Sequence, residues 1–136
     1  MAMVELMKRD LLKFIISQNI DGLHRKSGIP AEKISEAHGN TNLEICEKCN
    51  KDYMRDYGVK SNISSNKHKT GRKCDNPKCK GDLYDSIINF GEGLKPEVIT
   101  KANEMGEESD LMLCMGTSLR VQPVCNIPMM CGINGD

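Results

Sequence analysis

Near the start of the chain, apolar residues recur at three- and four-residue steps, at Val4, Met7, Leu11 and Phe14, the stripe of a helix lying on a core. The pattern then tightens into Phe14-Ile15-Ile16, a short apolar run that predicts a buried strand opening into a loop at Ser17-Gln18-Asn19. Asp21–Ser27 predicts a short helix stopped by Gly28 and Pro30, with another helical turn from Pro30 to Lys33. Thr41–Ile45 alternates like a strand. Residues 46–80 then lose almost all aliphatic side chains and become rich in Lys, Asn, Ser and Gly; such a stretch builds no core of its own. Leu83–Phe90 predicts extended chain, Pro96 to about Gly106 a helix, and Asp110–Met115 a strand of nearly continuous apolar character leading into Gly116-Thr117-Ser118. The order strand, loop, helix, strand, loop predicts an α/β fold with an open, largely parallel sheet. In such sheets ligands sit at the loops that follow strand C-termini.

Composition narrows this picture. The 136 residues are 38% hydrophobic and only 4% aromatic, with no Trp, so the core must come from Ile, Leu, Val and the nine Met. Net charge is zero, which provides no global field toward nucleic acid or anionic membrane. Two opposite blocks cancel: Lys48–Lys80 holds ten Lys/Arg against three Asp, and residues 81–110 hold eight acids against two Lys. Glu5, Lys8, Arg9, Asp10 and Lys13 interrupt the first seventeen residues, unlike the apolar stretch of a targeting signal, and no run approaches the roughly 18 apolar residues of a bilayer span. The expectation is a soluble, intracellular protein, with neither membrane association nor sequence-specific nucleic-acid binding.

Seven cysteines, an odd number, in such a chain point to metal and free thiols before disulfides. Cys46-Glu47-Lys48-Cys49 and Cys74–Cys79 form two close pairs in separate loops, a pattern that can converge on one tetrahedral Zn²⁺. Two disulfides or unrelated thiols are the alternatives. Four thiolates around Zn²⁺ leave a charge of about −2, which Lys48, Lys51, Arg72, Lys73, Lys78 and Lys80 would offset. A closed shell of four protein ligands makes the ion structural, one per chain. His68, between the pairs, reads as a solvated loop histidine. The Lys67–Lys73 basic run, which leads into a cysteine, reads as loop rather than as a nuclear-import patch. Cys114 reads as a core residue of the 110–115 strand.

Ser17-Gln18-Asn19-Ile20-Asp21-Gly22-Leu23-His24 and His38-Gly39-Asn40 resemble the signatures of the sirtuin (Sir2) family. Phe90-Gly91-Glu92 followed by Leu94 and Pro96, Gly116-Thr117-Ser118-Leu119, and the two cysteine pairs occur in that family's order. The likeness runs from about Val4 to Met130, and Thr70-Gly71-Arg72 before the second pair is most similar to the class IV, nuclear branch. The resemblance implies a partial Rossmann-like NAD-binding and catalytic core from residues 1–45 and 81–136, with a small zinc-binding module, residues 46–80, inserted in it.

The implied chemistry is NAD-dependent removal of acyl groups from protein lysine. An acyl-lysine oxygen attacks the ribose carbon that carries nicotinamide, and a general base then activates a ribose hydroxyl. Histidine, with an ordinary pKa near ~6.5, suits that task. The resemblance makes His38 this base, where His-Gly alone would equally be a hydrogen-bonded structural histidine. It makes Gln18, Asn19, Ile20 and Asp21 the lining of the nicotinamide and ribose pocket, although Asn and Asp are also ordinary turn formers and Asp21 could N-cap the next helix. Gly116, Thr117 and Ser118 are likewise implied to contact NAD, with a plain turn as the alternative. Phe90, Gly91 and Glu92 are implied to pair by backbone with an acyl-lysine peptide, histone tails among the candidate substrates. The Gly-rich phosphate loop and the Phe-Arg stretch of the family have no counterpart before Val4, nor has its adenine-side strand after Met130. The expectation is therefore a chain truncated at both ends. A zinc-stabilised binding module without turnover and mono-ADP-ribosyl transfer are the competing functions.

Overall fold

The computed structural model describes residues 2–61 and 68–132. Lys67 of the basic run lies outside them. The chain divides into two compact units. The first comprises Met1–Gln18, His24–Ala37 and Gly93–Asp136, and the second Asn19–Leu23 and His38–Glu92.

In the first unit, helix α1 (Ala2–Lys8) is followed by strand β1 (Ile15–Ser17), helix α2 (Leu23–Lys26), strand β2 (Ile34–Glu36) and helix α3 (Pro96–Glu107). β1 and β2 pair in parallel, Ile15 opposite Ile34 and Ser17 opposite Glu36, the arrangement expected of two strands joined by a helical crossover. The helix predicted through Phe14 stops earlier, with Asp10 at φ 59. Met3, Val4, Met7 and Leu12 cover buried Ile15, Ile29 and Ile34, so the first half of the stripe packs as expected, whereas Leu11, beyond the helix end, is 72% exposed. α3 starts with Pro96 at its N-terminus, where the missing N–H costs nothing. Its Ala102 packs with Ala37, Val124 and Ile127. Gly106 lets a 3-10 segment, Val124–Met130, come close, because a Cβ there would lie 2.6 Å from Ile127 Cγ2.

The predicted strand at 110–115 is not formed. Among the described residues this segment joins neither sheet, and Leu111 and Leu113 are 81% and 76% exposed. A continuous apolar run signals burial on both faces, but that burial needs a neighbour strand, and among the described residues no strand pairs with it. Cys114, read as core, is accordingly exposed.

The second unit is a four-stranded antiparallel sheet in the order β4-β3-β6-β5, formed by β3 (Leu43–Cys46), β4 (Asp52–Met54), β5 (Lys69–Lys73) and β6 (Asp82–Asp85). β4 and β5 fall inside the polar stretch that predicts no core, and pack instead on its cysteines and Tyr53, with Leu83 from the flank. The buried cluster is Cys46, Tyr53, Cys74 and Leu83, with Cys79 against it. Sulfur takes the place of the aliphatic side chains that are missing. Glu44, in the middle of β3, is 0% exposed. Its Oε2 accepts from Arg55 Nε and its Oε1 from Arg72 Nε, both at 2.7 Å. No helix among the described residues is long and apolar enough to cross a membrane.

Candidate metal centre and cofactor loops

Cys46 ends β3 and Cys74 follows β5, while Cys49 and Cys79 lie on the turns that leave each strand pair. Asn50 N–H donates to the Cys46 carbonyl at 3.0 Å, and Cys79 N–H to the Asn76 carbonyl at 2.9 Å. The positive φ of Asn50 and Lys80, 53° and 52°, closes the two turns in the same way. Gly81 is required beside them: a Cβ there would lie 2.8 Å from Cys46 Sγ.

The four sulfurs all lie within 4.8 Å of one another, with Cys46–Cys79 at 3.6 Å and Cys49–Cys74 at 3.7 Å. A disulfide would bring sulfurs to about 2.05 Å. A Zn–S bond near 2.3 Å in a tetrahedron gives an S···S edge of about 3.8 Å. The donor set fits zinc. Burial works against ionisation of Cys46, but hydrogen bonds from the backbone N–H groups of Cys49 and Lys48 and from the Cys49 and Cys79 thiols together outweigh it and lower the thiol to about 7, while Cys49, despite the Lys51 N–H, is pushed up to about 12 by burial and the neighbouring thiols. Four thiolates this close repel one another, so a divalent cation is what allows all of them to ionise. Tyr53 adds a buried hydroxyl 3.0 Å from Cys74 Sγ, with Lys51 and Arg55 over its ring. Of the cations expected to offset the thiolates, Arg72 is instead engaged by Glu44 and Lys73 by Asp82; Lys48 Nζ bonds the Cys79 carbonyl.

His38, Asn19, Ile20, Asp21, Phe90, Gly91 and Glu92 belong to the second unit, and Gln18, Gly116, Thr117 and Ser118 to the first. Within the second unit the 19–23 loop lies on the His38-Gly39-Asn40 segment. Thr41 N–H donates to the Ile20 carbonyl at 2.8 Å, and a Cβ on Gly22 would reach Asn40 Oδ1 at 2.8 Å. Asp21 Oδ1 accepts from Leu23 N–H at 2.9 Å, the local capping its residue type favours. The His38 carbonyl accepts from Ile88 N–H at 3.1 Å. Gly39 has φ 86, and a Cβ on it would overlap the Ser86 carbonyl group. Both objections are backbone ones, so Gly39→Ala is expected to destabilise this unit by at least about 3 kcal/mol. Urea unfolding of the zinc-loaded chain measures it. Within the first unit, Gln18 Nε2 lies 3.4 Å from Thr117 Oγ1, which joins the loop after β1 to the Gly116-Thr117-Ser118 loop. Their amide and hydroxyl groups are the donor set that a ribose or carboxamide takes.

Residues 1–123 match the family model described as Sir2 family. The chain belongs to the Sir2 family. Among its relatives are an Arabidopsis thaliana protein named NAD-dependent protein deacetylase SRT1, 44% identical over 96% of this chain and 27% of that protein, and human NAD-dependent protein deacetylase sirtuin-7, 39% identical over 89% and 31%. Solved structures also resemble it. A Sir2 homolog–NAD complex superposes with a TM-score of 0.70 at 31% identity, over 95% of this chain and 46% of that one. A Sir2 bound to acetylated peptide does so with a TM-score of 0.65 at 29% identity, over 93% and 50%. This Sir2-family chain thus spans about half the length of the structures it matches and under a third of these relatives.

Three residues that the sequence reading missed stand out in this Sir2 chain: Tyr53 beside a metal ligand, Glu44 beneath the sheet, and His68. The last is no solvated loop residue. Its Nδ1 lies 2.9 Å from Asp85 Oδ1 and its Nε2 3.1 Å from both oxygens of Glu92. A strongly basic stretch followed by a strongly acidic one was the available signal, and it pairs Lys69 and Lys73 with Asp82 as well.

Proposed function

We propose that this chain serves NAD-dependent deacylation of protein lysine, in which nicotinamide is released and the acyl group passes to ADP-ribose. The observation that carries the reading is His38, set at a turn that only Gly39 can make, in one unit with the Ile20-Asp21-Gly22 loop that Asn40 and Thr41 meet. The relatives' name, NAD-dependent protein deacetylase, and the NAD and acetylated-peptide complexes of the related structures support it.

NAD, when bound, supplies a ribose carbon whose bond to nicotinamide breaks as the lysine acyl oxygen takes its place. Gln18, Asn19, Ile20 and Asp21, with Gly116, Thr117 and Ser118, are the residues that would hold it, through amide, carboxylate and hydroxyl groups. His38 would accept a proton at a ring nitrogen from a ribose hydroxyl. Phe90, Gly91 and Glu92 would offer backbone to an acyl-lysine peptide by strand addition. Cys46, Cys49, Cys74 and Cys79 would hold zinc, a structural ion with no open position for substrate. The nuclear location and histone-tail substrates implied by the class IV resemblance belong to the same proposal; imaging of a fluorescent fusion tests the first.

The test is nicotinamide release by the zinc-loaded chain. Release that needs both NAD and acetyl-lysine peptide, and that falls by at least about 100-fold in His38→Ala, supports deacylation. The second unit, with its own sheet, buried cluster and metal ligands, also favours a second reading, a zinc-stabilised module that binds acylated peptide without turnover. That reading gives peptide binding and one zinc per chain with no release. Label passing from NAD onto protein would instead indicate mono-ADP-ribosyl transfer.

A further inference from the structure

His68 immediately precedes β5, Asp85 closes β6, and Glu92 closes the Asn89–Glu92 turn that carries Phe90 and Gly91. The two strands are tied there by Asp85 N–H donating to the His68 carbonyl at 2.8 Å. The imidazole, half-buried, has a carboxylate at each nitrogen: Asp85 Oδ1 at 2.9 Å from Nδ1, and Glu92 Oε1 and Oε2 at 3.1 Å from Nε2. Both carboxylates are engaged by the backbone as well. Asp85 Oδ1 takes Ile87 N–H at 3.0 Å, and Glu92 Oε2 takes Asn89 N–H at 2.8 Å. Ionised carboxylates only accept hydrogen bonds, so this arrangement needs a proton on both ring nitrogens. A neutral imidazole must turn a lone pair toward one of them.

The turn itself is weakly anchored otherwise. Phe90 is 98% exposed, Gly91 sits at φ 86, and Glu92 N–H to the Asn89 carbonyl, 3.0 Å, is a bond within the turn. His68 is therefore what connects the turn's carboxylate to the sheet. We propose that His68 is a positioning residue for the Asn89–Glu92 turn, tying it to the end of β6 as an imidazolium and releasing it when Nε2 loses its proton. Nε2 is the site of loss because Asp85 is the more enclosed partner, its side chain 7% exposed against 27% for Glu92, and so retains Nδ1–H. The charged groups facing His68 are these two alone among the described residues; Lys69, the next residue on β5, is committed to Asp82.

The direction in pH follows. Burial disfavours the imidazolium, but hydrogen bonds to Asp85 and Glu92 outweigh it and hold His68 above the ordinary histidine value. The tie is fully present below that ordinary value and is lost as pH rises through the elevated one. On the reading of Phe90, Gly91 and Glu92 as the acyl-lysine segment, which this inference deepens, peptide affinity weakens over the same interval.

The experiment is amide hydrogen exchange on the zinc-loaded chain across that interval, corrected for intrinsic pH dependence, with acetyl-lysine peptide binding read in parallel. Protection at 89–92 is expected to fall by about tenfold or more as pH rises, to be low and pH-independent in His68→Gln and Glu92→Gln, and to be retained at high pH in His68→Arg, whose charge persists. Glu92→Gln lies away from the cysteines and covers the case in which a His68 variant loses zinc. Equal protection of the wild-type turn at both ends of the interval, or in Glu92→Gln, overturns the proposal. A turn that responds while peptide binding is absent at every pH overturns the peptide reading and leaves the tie standing.

Discussion

Chelating the zinc, or replacing Cys74 by Ser, is expected to unfold the 38–92 unit. Its buried cluster consists of Cys46, Tyr53, Cys74 and Leu83, with Cys79 against it, so three of its five members are candidate metal ligands. Burying one leucine contributes on the order of 2–3 kcal/mol, far short of what ordering four short strands costs in conformational entropy. Structural zinc in small domains contributes roughly 10–16 kcal/mol at neutral pH, and here it must contribute most of what holds β4 and β5. Metal analysis should read one zinc per wild-type chain and none in Cys74→Ser. Hydrogen exchange should show loss of protection throughout β3 to β6. Because thiolates bind the ion and protons compete for them, acidification should release zinc along with the same protection. A Cys74→Ser chain that kept its sheet protected would show that the sheet stands without the ion.

The second large effect is expected at Glu44. It is fully buried, and two guanidinium groups meet it at 2.7 Å, from Arg55 just after β4 and Arg72 in β5. Glu44→Ala would leave both cations over an uncompensated site, and loss of one partner from a buried ion group costs about 3–5 kcal/mol. Arg72 has little elsewhere to turn, since its Nη2 is buried without a partner among the described residues. Glu44→Gln keeps the shape but not the charge and should fall between Ala and wild type. Urea unfolding of the zinc-loaded variants gives the order. Burial opposes ionisation of Glu44, but hydrogen bonding to Thr70, Arg55 and Arg72 outweighs it and holds the carboxyl below its usual range. With the folded value depressed, this contribution is present above the ordinary glutamate pKa and is lost as pH falls through the lower one. Wild type should therefore lose stability in acid more steeply than Glu44→Gln.

Much of this was legible in the residues. The cysteine pairs point to a candidate metal centre because thiol ligands come as local doublets, and the four sulfurs lie within 4.8 Å of one another. The Ile15–Ser17 strand, the helical crossover and the helix from Pro96 follow from apolar spacing and from proline and glycine at the ends. β4 and β5 were not legible, since Asp52-Tyr53-Met54 and Lys69–Lys73 carry one large buried side chain between them and pack on sulfur rather than on aliphatics. His68 was misread because its partners lie 17 and 24 residues away, beyond the reach of any local pattern. At 110–115 the failure ran the other way. An apolar run states that burial is wanted, and not which strand provides it. Of the candidate NAD loops, the groups and their order along the chain were legible, while the Gln18–Thr117 approach and the seating of Gly39 on Ser86 depend on how distant segments meet in the fold.

One stretch of backbone, from His38 through β3 to Cys46, carries the imidazole, the buried carboxylate and the first metal ligand in nine consecutive residues. Oxidation of Cys46 to a sulfenic acid is therefore expected to cost the zinc and to loosen β3 as far as His38, an outcome that hydrogen exchange across 38–46, before and after a thiol reductant with fresh zinc, checks.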